Sequence, residues 1–183
     1  MKKTTRRILL LLLICALYAC TGNTAPEEPE EPIDGGTVDN SDPEAPKEIR
    51  STMIREFSTE FCVNDAWSGD LSWYSYELKV EDGKLILSEN KTYKLSTEAD
   101  GTLRRDIQKL IEKYELVQRN GSHSVTSGLP WEYAPCTLQA LYDGGELLTF
   151  TEDNDPDAEW AIELKGLFDD VFIRAGLLEA PQE

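Results

Sequence analysis

From about residue 50 onward the apolar side chains recur with two different periods. In "STMIREFSTEFCV" (51–63) Met53, Phe57, Phe61 and Val63 share one alternating face, the pattern of a strand with one buried side. The runs "LSWYSYELKV" and "KLILSE" flank Glu81-Asp82-Gly83, and an Asp-Gly pair between β-rich runs predicts a hairpin. The period then lengthens. In "TEADGTLRRDIQKLIEKYEL" Leu103, Ile107, Leu110, Ile111 and Tyr114 form the stripe of an amphipathic helix, opposite a face rich in Arg, Lys and Glu. A second hairpin, "TLQALYD" and "ELLTFTE", turns at Asp143-Gly144-Gly145, where glycine permits the positive φ of a tight turn. The last periodic segment, "DPDAEWAIELKGLFDDVFIRAG", predicts a helix with Asp155 as N-cap and Pro156 at its first position. Trp160, Leu164, Leu167, Phe168, Val171 and Phe172 form its apolar face, and Gly176 closes it. The expected order is β-β-β-α-β-β-α: an α+β domain, an antiparallel sheet of about five strands packed by two helices. Residues 50–179 make up this domain, with 180–183 as a tail.

The N-terminal 49 residues have a different character. Ile8 to Ala19 is almost wholly apolar but makes only about 18 Å of helix, against roughly 30 Å for a hydrocarbon core. Lys2, Lys3, Arg6 and Arg7 precede it and small Ala19 ends it, so residues 1–19 read as a secretory signal peptide. Leu17-Tyr18-Ala19-Cys20 resembles the lipobox of bacterial lipoproteins. That resemblance implies that the Cys20 thiol is acylated and that Cys20 becomes the new N-terminus. One acyl chain binds a membrane reversibly, whereas two or more anchor it stably. Residues 20–49 then form an acidic tether holding Pro26, Pro29, Pro32, Pro43 and Pro46, five of the nine prolines. With few large apolar side chains it reads as extended, reaching on the order of 80 Å.

Charge sharpens the picture of partners. The whole chain carries −17, and without residues 1–19 it keeps 14 basic against 35 acidic residues, a formal −21. That field argues against nucleic acid and anionic head groups as partners. The expected location is the cell envelope, exported and held to a membrane by lipid, with a glycan, a peptide or another envelope protein as candidate partner.

Residues 53–175 resemble a group of uncharacterised bacterial lipoproteins. The shared features are a Trp/Tyr-rich strand ending in Glu-Asp-Gly-Lys, an amphipathic helix, Asn120-Gly121-Ser122-His123, Gly128-Leu129-Pro130, a Gly145-Glu146 hairpin and a Pro-started terminal helix. The resemblance implies architecture and location, and no chemistry.

Candidate site residues follow from residue type and place. Cys62 and Cys136 are an even pair in an exported chain; a bridge closing 75 residues would contribute about 4.5 kcal/mol, and the alternative is two buried thiols that never meet. "DNDPDAE" (153–159) alternates acids as a calcium loop does, but Ala158 and Leu164 stand where an EF-hand needs glycine and glutamate, so no metal or other cofactor is expected. His123 is the only histidine and lies with Asn120 among serines in a long connection, 117–136. A Ser-His-acid hydrolase is the catalytic alternative, although no Gly-x-Ser-x-Gly elbow is present. Trp67 and Trp131 fall in segments read as loops and are candidate platforms for a sugar or peptide, whereas Trp73 and Trp160 belong to core faces. The expected function is a non-catalytic binding or envelope-organisation module; a structural or inhibitory partner of another envelope protein is a further alternative.

Overall fold

The computed structural model describes residues 35–64 and 69–180. The signal segment, Cys20, Trp67 and the tail at 181–183 lie outside the described residues. In chain order the elements are β1 (Thr37–Asp39), β2 (Ile54–Asn64), β3 (Leu71–Glu81), β4 (Lys84–Glu89), β5 (Leu95–Glu98) and α1 (Thr102–Lys113). They continue with β6 (His123–Thr126), β7 (Pro135–Tyr142), β8 (Leu147–Asp153) and α2 (Glu159–Arg174). The expected five-stranded antiparallel sheet of order β-β-β-α-β-β-α is therefore corrected. The sheet has eight strands in the order β1-β6-β8-β7-β2-β3-β4-β5, and it is mixed because β6 runs parallel to β8. The added strands β1, β5 and β6 are three or four residues long and lie at or next to the sheet edges. They pair through backbone groups and carry no apolar alternation for sequence periodicity to register.

Both hairpins form where turn chemistry places them. Asp82 (φ 49°) and Gly83 (φ 78°) both take positive φ between the Glu81–Lys84 pair, the two-residue turn whose twist matches that of its strands. Gly145 (φ 80°) closes the β7–β8 turn. On the helix-covered side of β2 the buried residues are Ile54, Phe57, Thr59, Phe61 and Val63, with Cys62 buried on the other side, while Met53 is 45% exposed. A bulge between Ile54 and Glu56 shifts the phase by one residue, which puts Ile54 where alternation predicts Met53. Helix α1 buries Leu103, Ile107, Leu110 and Ile111, as its stripe predicts. Helix α2 starts three residues later than its sequence cap suggests. Its N-cap is Ala158, and Asp155 instead accepts the backbone N–H of Asp157 at 3.0 Å in a local turn. At the other end Gly176 (φ 73°) lets Leu177 N–H reach back to the Phe172 carbonyl at 2.9 Å.

The two helices cover one face of the sheet. Phe57 and Phe61 from β2, Tyr74, Tyr76 and Leu78 from β3, and Phe150 from β8 are buried there. They meet Trp160, Leu164, Phe168 and Phe172 of α2, with Tyr76 and Phe168 ring centroids 4.5 Å apart and Phe61 and Trp160 5.7 Å apart. Such tilted aromatic pairs add about 0.5–1.5 kcal/mol each to simple burial. The opposite face carries Glu56, Ser58 and Glu60 of β2 and Ser75, Glu77 and Lys79 of β3, and among the described residues no helix covers it. Trp73 alternates with Tyr74 onto this open face and is half-buried, which corrects its assignment to the core.

The compact unit begins at Gly35, so part of the expected tether belongs to the domain. Strand β1 pairs with β6, and residues 40–51 run on as a strap. Asp42 N–H donates to the Gly121 carbonyl at 2.8 Å, the Asn120 amide donates to the Pro46 carbonyl at 2.8 Å, and Lys47 Nζ donates to the Asn120 carbonyl at 2.5 Å. Glu146 finishes the strap by accepting the N–H groups of Arg50 and Ser51. Polar and proline-rich sequence is held here by hydrogen bonds to its neighbours rather than by an apolar face.

Candidate functional site

A hollow of about 400 Å³ lies between the strap and the β6–β8 side of the sheet. Asn40, Asp42 and Pro46 form one wall, Asn120 and His123 another, and Thr149 and Thr151 line it from β8. Two of the residues singled out in the sequence, Asn120 and His123, thus come together. Their roles differ. The Asn120 side chain is buried and engaged at both its nitrogen and its oxygen, donating to the Pro46 carbonyl and accepting Thr149 N–H, each at 2.8 Å, so it builds the wall. His123 is exposed at the rim.

Among the described residues no serine hydroxyl is hydrogen-bonded to the His123 imidazole. Ser122 and Ser124 are its immediate neighbours, and residues adjacent along a strand point to opposite faces. Ser41 reaches the histidine through its backbone: the Ser41 hydroxyl oxygen accepts His123 N–H at 2.9 Å. The side-chain and backbone hydrogen bonds from Ser41 hold the Asp39 carboxyl below its usual range. These contacts order the strap and leave the imidazole uncommitted to a hydroxyl.

Trp131 lies elsewhere, in a short 3-10 turn (Trp131–Tyr133) that crosses one end of the sheet. The residue is 56% exposed, and its carbonyl accepts the Trp73 indole N–H at 3.3 Å. Lys91 sits 4.7 Å above the Trp73 ring and pairs with Glu60 at 2.5 Å. The backbone is pinned from below by Asn154, whose amide donates to the Glu132 carbonyl at 2.7 Å. The sequence grouping of Trp131 with Asn120 and His123 thus separates into two places, the sheet end and the strap hollow.

Cys62 and Cys136 are buried free thiols. Adjacent strands β2 and β7 carry them, but on opposite faces. Cys136 alternates with Leu138 and Ala140 into the helix-covered core, while Cys62 alternates with Phe61 and Val63 onto the other side. Of the two alternatives the sequence left open, the structure shows the pair of buried thiols that do not meet, because the sheet itself stands between the two sulfurs. Burial raises both thiols, Cys136 to about 11, so both favour the unreactive protonated form.

In the acidic segment 153–159, Asp153 accepts Thr126 N–H at 2.8 Å and Asp155 accepts Asp157 N–H. Among the described residues no group of three or more His, Cys, Asp or Glu side chains is placed to hold a metal ion.

Three buried polar features escape sequence reading. Glu89 is fully buried and accepts backbone N–H groups from Ser75, Lys91, Thr92, Tyr93 and Lys94, so one carboxylate shapes the β4–β5 loop. Lys165 and Asp169 form a buried pair at 2.5 Å along α2, with the ammonium 4.8 Å from the Tyr74 ring centre. Asn154 replaces a missing rung of the ladder beside Cys62. The available signals were an acid in phase with Leu85 and Leu87, and a Lys-Asp spacing of four beside an apolar stripe. Comparison of the chain with protein families, with curated proteins and with solved structures finds no match.

Proposed function

We propose that this chain is an exported cell-envelope lipoprotein, held to a membrane through Cys20, whose compact unit is a non-catalytic binding or envelope-organisation module. The observation that supports it is the layout of the first 35 residues. A lipobox-like Cys20 is followed by 14 residues and then by a unit that begins at Gly35. Fourteen residues extend to at most about 50 Å, shorter than the full tether would allow, so the domain works close to the bilayer.

The surface for a ligand is the strap hollow on the open side of the sheet, where His123 lies near Asp42 and the β8 threonines. Mixed polar and apolar lining of this kind suits a glycan or an extended peptide. Two measurements test the reading. Membrane fractionation should place the wild-type protein with lipid and release the Cys20→Ala protein; retention of both, or release of both, contradicts anchoring through that thiol. A glycan and peptide screen should then give a ligand whose binding weakens about tenfold in His123→Ala. Binding that is indifferent to this change removes the hollow as the site.

A further inference from the structure

One end of the sheet collects the features that face away from the core. Strand β6 ends there at Thr126, β8 ends at Asp153, β7 begins at Pro135, and β1 begins at Thr37 against Thr126. The described chain starts at this end too: Ser127 N–H donates to the Gly36 carbonyl at 3.2 Å. A Cβ added to Gly35 would meet the Ser127 carbonyl at 2.2 Å, so Gly35 lies directly against Ser127.

At Ser127 begins an exposed segment that carries large apolar side chains. Residues 127–131, Ser-Gly-Leu-Pro-Trp, are uncharged and exposed throughout, with Leu129 at 40% and Trp131 at 56% exposure. Tyr133 follows, and Leu71 adds a fourth exposed large apolar side chain at the start of β3. The backbone beneath is fixed by the Trp73 and Asn154 hydrogen bonds to the Trp131 and Glu132 carbonyls. A rigid tip that exposes Leu, Pro, Trp and Tyr is costly to leave in water. The amphipathic rings of Trp and Tyr are suited to a lipid–water interface.

We infer that the apolar side chains of this tip, Leu129, Pro130, Trp131 and Tyr133, are a second membrane contact that seats the domain on the bilayer. The inference rests on the lipid-anchored reading above. Its particular support is that the chain from Cys20 enters the compact unit at Gly35, against the residue from which the tip springs. Four side chains alone would bind a bilayer weakly, but a tether of 14 residues makes the encounter intramolecular and so effective. Exposed Asp155 and Asp157 follow β8 at the same end, and the chain as a whole is strongly acidic. The contact therefore suits zwitterionic lipid and disfavours anionic lipid. Seated in this way, the domain would hold its sheet upright on the membrane, with the open face turned sideways.

The test uses the acylated protein reconstituted in phosphatidylcholine vesicles, with or without bromine on the acyl chains as a contact quencher of tryptophan. Bromine should quench the wild-type emission, and Trp131→Phe, which keeps an apolar ring but removes the reporter, should lose most of that quenching. Leu129→Asp, with Trp131 retained, should reduce the quenching by about twofold or more, because a charge at the tip opposes entry into the interface. Replacing part of the lipid by phosphatidylserine should reduce it as well, and salt should restore it. Acylated, vesicle-bound protein whose emission ignores bromine, or is quenched equally in Trp131→Phe, overturns the tip contact while leaving the anchor intact. Protein that carries no acyl chain and stays off the vesicles overturns both readings together.

Discussion

The Asn154 carboxamide completes both backbone hydrogen bonds of Cys62, accepting its N–H at 3.1 Å and donating to its carbonyl at 2.9 Å. Strands β2 and β7 pair only as far as Glu60–Thr137, so Cys62 would otherwise be a buried residue with an open ladder edge. Asn154→Ala leaves both groups unpaired, together with the Glu132 carbonyl, and should cost about 2–4 kcal/mol. Asn154→Asp should cost at least as much at neutral pH, because it places a carboxylate against two carbonyl oxygens. Urea midpoints of the two variants check this, and a loss below about 1 kcal/mol in both would show that the amide is replaceable.

Lys165 and Asp169 are both nearly inaccessible to solvent. Burial by itself pulls the lysine down, but the hydrogen bond and charge of Asp169, with Tyr93, outweigh it and hold Lys165 above its ordinary 10.5. A raised folded value means that its contribution is complete below about 10.5 and disappears as pH climbs through the higher folded value. Tyr142, pushed up to about 12 by burial, acts in the same direction. Asp169→Asn removes the charge that balances the buried ammonium and should cost about 3–5 kcal/mol at pH 7, whereas Lys165→Met with Asp169→Leu should be nearly neutral. The double variant should also lose part of the alkaline fall in stability. Equal costs for the single and double variants would contradict this account.

The thiols should behave as two separate buried groups. Reductant should leave the melting temperature unchanged, and alkylation in denaturant should label both Cys62 and Cys136, while the native protein resists it. A melting temperature that falls on reduction, or domain thiols unlabelled after unfolding, would mean that the sheet had rearranged to bring the sulfurs to one side.

Gly121 (φ 79°) allows the strap to approach: a Cβ there would meet Ala45 Cβ at 2.3 Å and the Asp42 carbonyl at 2.8 Å. Gly121→Ala combines that clash with a left-handed backbone, at a cost of about 1–3 kcal/mol. The strap should lift, and limited proteolysis should cut between 40 and 49 much faster than in wild type. Unchanged cleavage would show that the strap adapts without separating.

How legible this was in the sequence depended on what holds each element in place. Asp82-Gly83, the α1 stripe and the aromatic face of α2 were readable because local turn chemistry and burial both specify them. Strands β1 and β6 were not, since Val38 with Val125 and Thr37 with Thr126 pair through backbone groups in exposed, polar surroundings. The strap was hidden for a related reason: Pro46 and Lys47 look like tether residues until Asn120, more than 70 positions away, accepts and donates to them. Alternation identified Phe57, Phe61 and Val63, and the bulge at Ile54 misled it at Met53. Of the site residues, Asn120 and His123 converge because both border the strap. Trp131 separates from them because its turn is bound to Trp73 and Asn154 across the sheet end.

The proposed acylation makes Cys20 a lipid-bearing N-terminus, and the intact mass of the protein isolated from membranes reads this out. The expected mass is that of a polypeptide beginning at Cys20 and carrying two or more acyl chains. A chain that retains its first residues, or one that begins near Cys20 with an unmodified thiol, would contradict it.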